Sequence, residues 1–168
     1  MNGYSFFAPT KVLFGAGKLS ELGAQKLPGT KALIVTTGGN SVKRFGYLRR
    51  VEAELERAGV AHELFDRIEP NPLRETVNAG GWMARTHGCD FVLALGGGSV
   101  MDGSKGICAV AANPHTDAEG NECPGDIWDF VNGGTALGLP IPNDPLPLVC
   151  VTTTAGTGSE VDAGGVLS

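Results

Sequence analysis

The sequence predicts an α/β fold, a parallel sheet with helices on both faces. Three features of the chain predict it. Short apolar runs alternate with segments whose apolar residues recur at spacings of three and four. The runs are continuous, as in strands covered on both sides. Glycine-rich turns close several of them. Strand and helix in alternation imply right-handed crossovers, and ligands lie beyond the carboxyl ends of such strands.

Each element follows in order. Residues 31–37, Lys-Ala-Leu-Ile-Val-Thr-Thr, form an apolar run with a glycine stop and read as the first strand. Leu48, Val51, Leu55 and Ala58 share one helical face, and Gly59 stands where a C-cap belongs. Residues 61–65 read as a second strand, 73–87 as a second helix, 89–95 as a third strand and 100–112 as a third helix. Residues 113–124, with His115, Asp117, Glu119, Gly120 and Asn121, read as a polar surface excursion. Residues 127–131 suggest a short helix returning to the core. Pro140, Pro142, Pro145 and Pro147 then forbid regular helix before a last strand at 146–151. No internal repeat stands out.

The chain has 168 residues, the size of one ordinary domain, and its 42% hydrophobic content can fill a core. We therefore expect a single domain over residues 1–168. The net charge is −5 and the basic residues are scattered, so no face suits a polyanion and no nucleic-acid partner is expected. Cys89, Cys108, Cys123 and Cys150 form no C-x-x-C pair and read as reduced, structural thiols. No apolar run approaches the roughly 18 residues of a membrane span, and the N-terminus lacks the pattern of a signal peptide. The expectation is a cytoplasmic protein with no membrane partner. The 26 glycines gather at the ends of apolar runs, where the chain would approach something closely.

Gly96-Gly97-Gly98-Ser99-Val100-Met101-Asp102-Gly103-Ser104-Lys105 is the most telling stretch. It follows the third strand and opens the third helix. Glycines there let successive amides turn toward one point, and the helix end adds about half a positive charge. Any Cβ would hold a phosphate away. Gly97, Gly98 and Ser99 are thus candidates for a pyrophosphate cradle, with Ser99 also able to cap the helix. A plain tight turn remains the alternative. The stretch is not a Walker loop, because no Gly-Lys-Ser/Thr follows at the required spacing. Met101 also occupies the last glycine position of the usual dinucleotide fingerprint.

Two more such turns end strands. Thr37-Gly38-Gly39-Asn40-Ser41 follows the first, and Thr152-Thr153-Thr154-Ala155-Gly156-Thr157-Gly158-Ser159-Glu160 follows the last. Their hydroxyls and amides could serve phosphate, ribose or carboxamide, or could simply stabilise turns. Three of them on neighbouring strands would line one crevice in a Rossmann-like sheet.

With these residues in view, the chain resembles the N-terminal domain of the iron-containing, group III metal-dependent alcohol dehydrogenases. Within that family it is similar to the branch of butanol dehydrogenases and NADPH-dependent aldehyde reductases. The likeness covers essentially all 168 residues. It is carried by Pro9-Thr10-Lys11-Val12-Leu13-Phe14-Gly15-Ala16-Gly17, Glu69-Pro70-Asn71-Pro72, the 96–105 stretch, Asp126-Ile127-Trp128-Asp129 and Gly156-Thr157-Gly158-Ser159-Glu160.

The resemblance implies a dehydroquinate synthase-like N-terminal domain, and an enzyme moving hydride between a nicotinamide dinucleotide and a small alcohol or aldehyde. It implies that the pyrophosphate lies on Gly97, Gly98 and Ser99, that the turn from Thr153 to Thr157 meets the nicotinamide half, and that Asp102 hydrogen-bonds near the nicotinamide. On the residues alone, Asp102 could equally be a first-turn carboxylate stabilised by the helix dipole. Lys105 ranks below it.

Relatives that prefer NAD place an acid at the end of the first strand, and here that position is Thr37. Gly38, Gly39 and Ser41 leave room for a 2′-phosphate, and Lys43 or Arg44 could supply charge, so NADP(H) is expected over NAD(H). Asp66 is the rival acid for the ribose. Asn71, Trp128 and Phe130 are candidates for a substrate-facing wall, with core packing as the alternative.

The family's divalent metal is held by an aspartate and three histidines of a helical second domain. His62, His87 and His115 match none of these, so neither metal ligands nor catalytic residues are carried over. The chain stops at Ser168 before that domain, and residues 164–168 read as the start of a strand cut short. The expectation is a fragment, inactive alone, from an enzyme whose pairing into a homodimer stays open. A glycerol dehydrogenase- or dehydroquinate synthase-like enzyme, or a non-catalytic nucleotide-binding module, are the alternatives.

Overall fold

A computed structural model describes Gly3 and residues 8–168. Four parallel strands, β1 (Lys31–Thr37), β2 (Ala61–Ile68), β3 (Phe91–Gly96) and β6 (Leu148–Thr152), form one sheet in the order β2-β1-β3-β6. The main helices are α2 (Tyr47–Arg57), α3 (Arg74–Thr86) and α4 (Gly98–Ala112), with a single turn, α1 (Ser41–Arg44), before α2. The expected α/β architecture is present.

The strand order dictates where the helices go. From β1 the chain steps one way to β2, then crosses back to β3 and continues to β6. Right-handed crossovers in opposite directions put their helices on opposite faces. Leu33, Val35, Val92 and Ala94 accordingly pack with α3 and α4, while Ala32, Ile34, Phe91, Leu93 and Leu95 pack with α1 and α2. Both faces are covered, which is why β1 and β3 read as unbroken apolar runs. The direction reverses between β1 and β3, and there the buried Thr36 hydroxyl donates to the Leu95 carbonyl at 2.8 Å.

Several boundaries differ from the sequence reading. β2 extends to Ile68, three residues past the expected end, so Asp66 lies within the strand. β3 starts at Phe91 because Asp90 is engaged at its head. The Asp90 carboxylate accepts from the Thr30 amide at 2.7 Å and the Lys31 amide at 2.8 Å, fixing the start of β1. The polar excursion contains a two-residue hairpin, β4 (His115–Thr116) with β5 (Glu122–Cys123), whose turn is tied by Asp117 accepting from the Asn121 amide at 2.8 Å. Ile127–Asp129 is a single 3-10 turn capped by Asp126.

Glycines are not confined to turns. Gly80 and Gly81 in α3 and Gly106 in α4 sit where the two helices cross. A Cβ at these positions would stand 2.5 Å from Ile107, 2.6 Å from Val110 and 2.7 Å from Val77. Missing side chains let the helix axes approach closely, a use of glycine that a reading of run ends does not find.

Residues 164–168 form no strand. The Ser168 amide donates to Pro72 and its carbonyl accepts from Arg74, both at 2.9 Å, while the Val166 amide turns to Asp102. The segment is held by these separate contacts, with no continuous ladder.

Candidate functional site

The three glycine-rich turns leave the same edge of the sheet, because β1, β3 and β6 are parallel neighbours. Two strand spacings, about 10 Å, separate the outer pair. The turn after β3 is built for close approach. A Cβ on Gly96 would lie 2.5 Å from Val100, so only glycine lets α4 start directly against the strand. Gly97 is extended and takes the N-cap position, and Gly98 is the first helical residue. The α4 ladder begins with the Met101 amide donating to the Gly97 carbonyl at 3.2 Å. The amides of Gly98, Ser99 and Val100 therefore open outward, with no acceptor among the described residues.

Ser99 departs from expectation. The helix starts two residues earlier than its apolar pattern indicated, so Ser99 lies inside the first turn and provides no cap. Gly98 supplies the helical start that Ser99 was expected to cap.

The turn after β6 folds onto this one. The Thr153 amide donates to the Gly96 carbonyl at 2.8 Å, prolonging the β3–β6 pairing, and the Thr153 side chain is exposed. Thr154 and Thr157 close over the glycines: a Cβ on Gly97 would reach Thr154 Oγ1 at 3.1 Å, and one on Gly98 would reach Thr157 Cγ2 at 3.0 Å. Gly98, Ser99, Asp102 and Thr157 line a cleft of about 430 Å³ together with Ser159, Asp162 and Gly164 to Val166. Four of the nine residues singled out from the sequence thus share one cavity wall.

Asp102 is held from several sides. The buried Ser159 donates its hydroxyl to one carboxylate oxygen, and the Val166 amide donates to the other at 3.0 Å. Lys105 is no solvated side chain. Its ammonium donates to Ser159 Oγ at 3.0 Å, to Asp162 and to the Gly164 carbonyl. Ser159 enters the sequence reading only as part of the 152–160 turn, and Asp162 is not singled out there. Their sequence signal was only that Ser159 interrupts a glycine-threonine turn, and no local pattern announces a partner 57 residues away.

Gly38, Gly39 and Ser41 stand exposed at the end of β1, outside that cleft. Gly38 abuts β2, since its Cβ would meet the Asp66 carbonyl at 3.2 Å. Lys43, expected to offer free charge, is paired with Asp66 at 2.5 Å, and this ammonium holds the Asp66 carboxyl below the usual range.

The three candidate wall residues lie in different settings. Asn71 adopts a left-handed φ of 55°. Trp128 lies under the Arg74 guanidinium, 5.5 Å from the ring centroid, and its Nε1–H donates to Thr135 at 3.3 Å. Phe130 lines a smaller cleft of about 140 Å³ that also touches Asp102 and Lys105.

A dinucleotide fits what is present, because open amides and a Cβ-free turn face a cleft at the reversal of strand order. A metal does not. Among the described residues no three His, Cys, Asp or Glu side chains gather, and His115 is instead 2.6 Å from Asp129. Among them, too, no helix is long and apolar enough to cross a membrane.

Known proteins resemble the chain along nearly its whole length. The NADPH-dependent aldehyde reductase YqhD of Escherichia coli is 38% identical over 169 residues, which span 100% of this chain and 40% of that protein. The NADH-dependent butanol dehydrogenase A of Clostridium acetobutylicum is 37% identical, with 100% and 39% covered. The crystal structure of the Red Sea brine pool archaeal alcohol dehydrogenase ADH/D1 superposes with a TM-score of 0.85 at 38% identity, over 99% of this chain and 40% of that one. The chain thus spans about 40% of the length of these relatives. The family model described as iron-containing alcohol dehydrogenase matches residues 9–168. With its sheet, its glycine turn and nearly its whole length matched, this chain belongs to the iron-containing alcohol dehydrogenase family.

Proposed function

We propose that residues 1–168 are the dinucleotide-binding portion of a two-domain, cytoplasmic oxidoreductase that moves hydride between NADP(H) and a small alcohol or aldehyde. The observation that carries this reading is the run of amides without an acceptor at Gly98, Ser99 and Val100, at the start of a helix whose Gly98 and Ser99 line the cleft with Thr157 and Asp102. The dinucleotide supplies the hydride chemistry at its nicotinamide ring. The chain's own groups bind and orient. The α4 amides would hold the pyrophosphate, and the 153–157 turn with Thr157 would contact the nicotinamide half. Asp102, fixed by Ser159 and the Val166 amide, would hydrogen-bond near the nicotinamide.

NADP(H) is the proposed preference because Thr37 offers no carboxylate against a 2′-phosphate and the exposed Gly38, Gly39 and Ser41 leave space for one. Relatives named for NADPH and relatives named for NADH both occur, so the choice rests on these residues. The divalent metal of the intact enzyme, and its ligands, would belong to sequence outside this chain. Pairing into a homodimer remains part of the same proposal.

Titration of the chain with NADPH and NADH, followed by nicotinamide fluorescence, tests the reading. NADPH should bind the more tightly of the two. Absence of binding to either would overturn the assignment, and tighter binding of NADH would overturn the preference. The chain alone should not oxidise alcohols, and measurable turnover by the purified 168 residues would contradict the two-domain reading.

A further inference from the structure

The Lys43–Asp66 pair lies at the adenosine end of the proposed site. Lys43 belongs to α1, which starts two residues beyond Gly39, and Asp66 belongs to the strand that Gly38 touches. Their charged atoms are 2.5 Å apart, with 43% of the lysine side chain and 36% of the aspartate side chain exposed. Both can therefore be reached from solvent beside the Gly38–Gly39 turn. The first strand lacks the acid that would discriminate against a 2′-phosphate, yet the neighbouring strand brings a carboxylate to the same turn. That carboxylate is neutralised by the lysine that would otherwise attract the phosphate. Paired, the two groups present nearly no net charge, and either one alone would favour one cofactor.

We propose that Lys43 and Asp66 together set the selectivity of this chain between 2′-phosphorylated and 2′-hydroxyl dinucleotides, each masking the preference of the other. The inference rests on the dinucleotide reading of the site. Without Asp66, the Lys43 ammonium is released to the 2′-phosphate. Without Lys43, the Asp66 carboxylate accepts a hydrogen bond from a ribose hydroxyl and repels a phosphate.

The test titrates two small probes, adenosine 2′,5′-bisphosphate and adenosine 5′-monophosphate, into the chain and into its Asp66→Asn and Lys43→Met variants. Chemical-shift changes register even millimolar binding. The ratio of the two Kd values within one variant cancels any loss of folded protein. Asp66→Asn should shift that ratio toward the bisphosphate by about fivefold, the size of one exposed ion pair. Lys43→Met should shift it toward the monophosphate by a similar factor. Binding of both probes with a ratio that neither substitution moves, or that both move in one direction, overturns the selectivity assignment alone. If the unaltered chain binds neither probe, the dinucleotide reading falls with it.

Discussion

The Ser159 hydroxyl donates to a carboxylate oxygen of Asp102, 57 residues earlier in the chain. Lys105 donates to the same serine oxygen at 3.0 Å, so one buried hydroxyl joins the helix that opens the cleft to the turn that closes it. Ser159 can accept from the ammonium and donate to the carboxylate at once, which few side chains can do.

Ser159→Ala should therefore matter twice. Removing the hydroxyl leaves Asp102 with the Val166 amide and an ammonium 3.8 Å away. Loss of a hydrogen bond to a charged group is expected to cost about 1.5–3 kcal/mol, read as a lower denaturation midpoint in urea. NADPH binding should weaken as well, since the carboxylate loses its orientation. A variant with unchanged stability would show that water replaces the hydroxyl without loss.

The helix crossing makes a purely structural prediction. A Cβ on Gly81 would stand 2.6 Å from Val110 Cγ1 and 2.7 Å from its Cβ, too near the backbone for rotamer change to relieve. Alanine gains up to about 1 kcal/mol in helix propensity. Overpacking costs about 1–3 kcal/mol. Gly81→Ala should be net destabilising by thermal denaturation, whereas Gly164→Ala, whose Cβ would meet nothing within 4 Å, should stay within about 0.5 kcal/mol of the parent.

These two cases mark what the sequence could and could not reveal. The runs at Lys31–Thr37 and Phe91–Gly96 are legible because double-sided burial writes hydrophobicity into every position. Gly59 is legible as a helix stop, and its φ of 70° is the left-handed conformation that glycine favours. The close glycine turn at Gly97 and Gly98 is legible from its place between strand and helix. Gly81 is not, because helical glycines signal close packing only once the partner helix is known. Ser159 and Asp162 are not, because their role depends on Lys105 and Asp102 arriving from another element. The Lys43–Asp66 pair was legible as two separate charges, and only the register of β1 with β2 makes them neighbours.

The cysteines should differ in reactivity. Burial pushes the Cys89 thiol up to about 11, raises the Cys108 thiol further, and brings Cys150 to about 11. The thiolate is the nucleophile, so at neutral pH these three should be slow. Cys123, half-buried in the surface hairpin, should be the first alkylated by iodoacetamide in the folded chain, as peptide mass spectrometry would show. Labelling of Cys108 before Cys123 would mean that α4 opens readily.

Acid should weaken the junction between α3 and the segment that follows the surface hairpin. Asp126 accepts from Arg74 Nε at 2.9 Å, from Asn78 at 3.0 Å and from the Trp128 amide at 3.0 Å, while Asn78 returns an acceptor to the Ile127 amide at 2.9 Å. The Arg74 guanidinium, ahead of the other donors, holds the Asp126 carboxyl well below its ordinary value of 3.8. A carboxyl depressed by folding binds its proton more readily in the unfolded chain. Its stabilisation is complete above the ordinary value and drains away as the pH falls below it toward the folded one. Asp126→Asn should accordingly be less stable than the parent near pH 7 and lose less on going to about pH 3, so that the two urea midpoints converge in acid. Parallel pH profiles for the two proteins would show instead that Arg74 finds an equivalent partner, such as Asp129, when the carboxylate is removed.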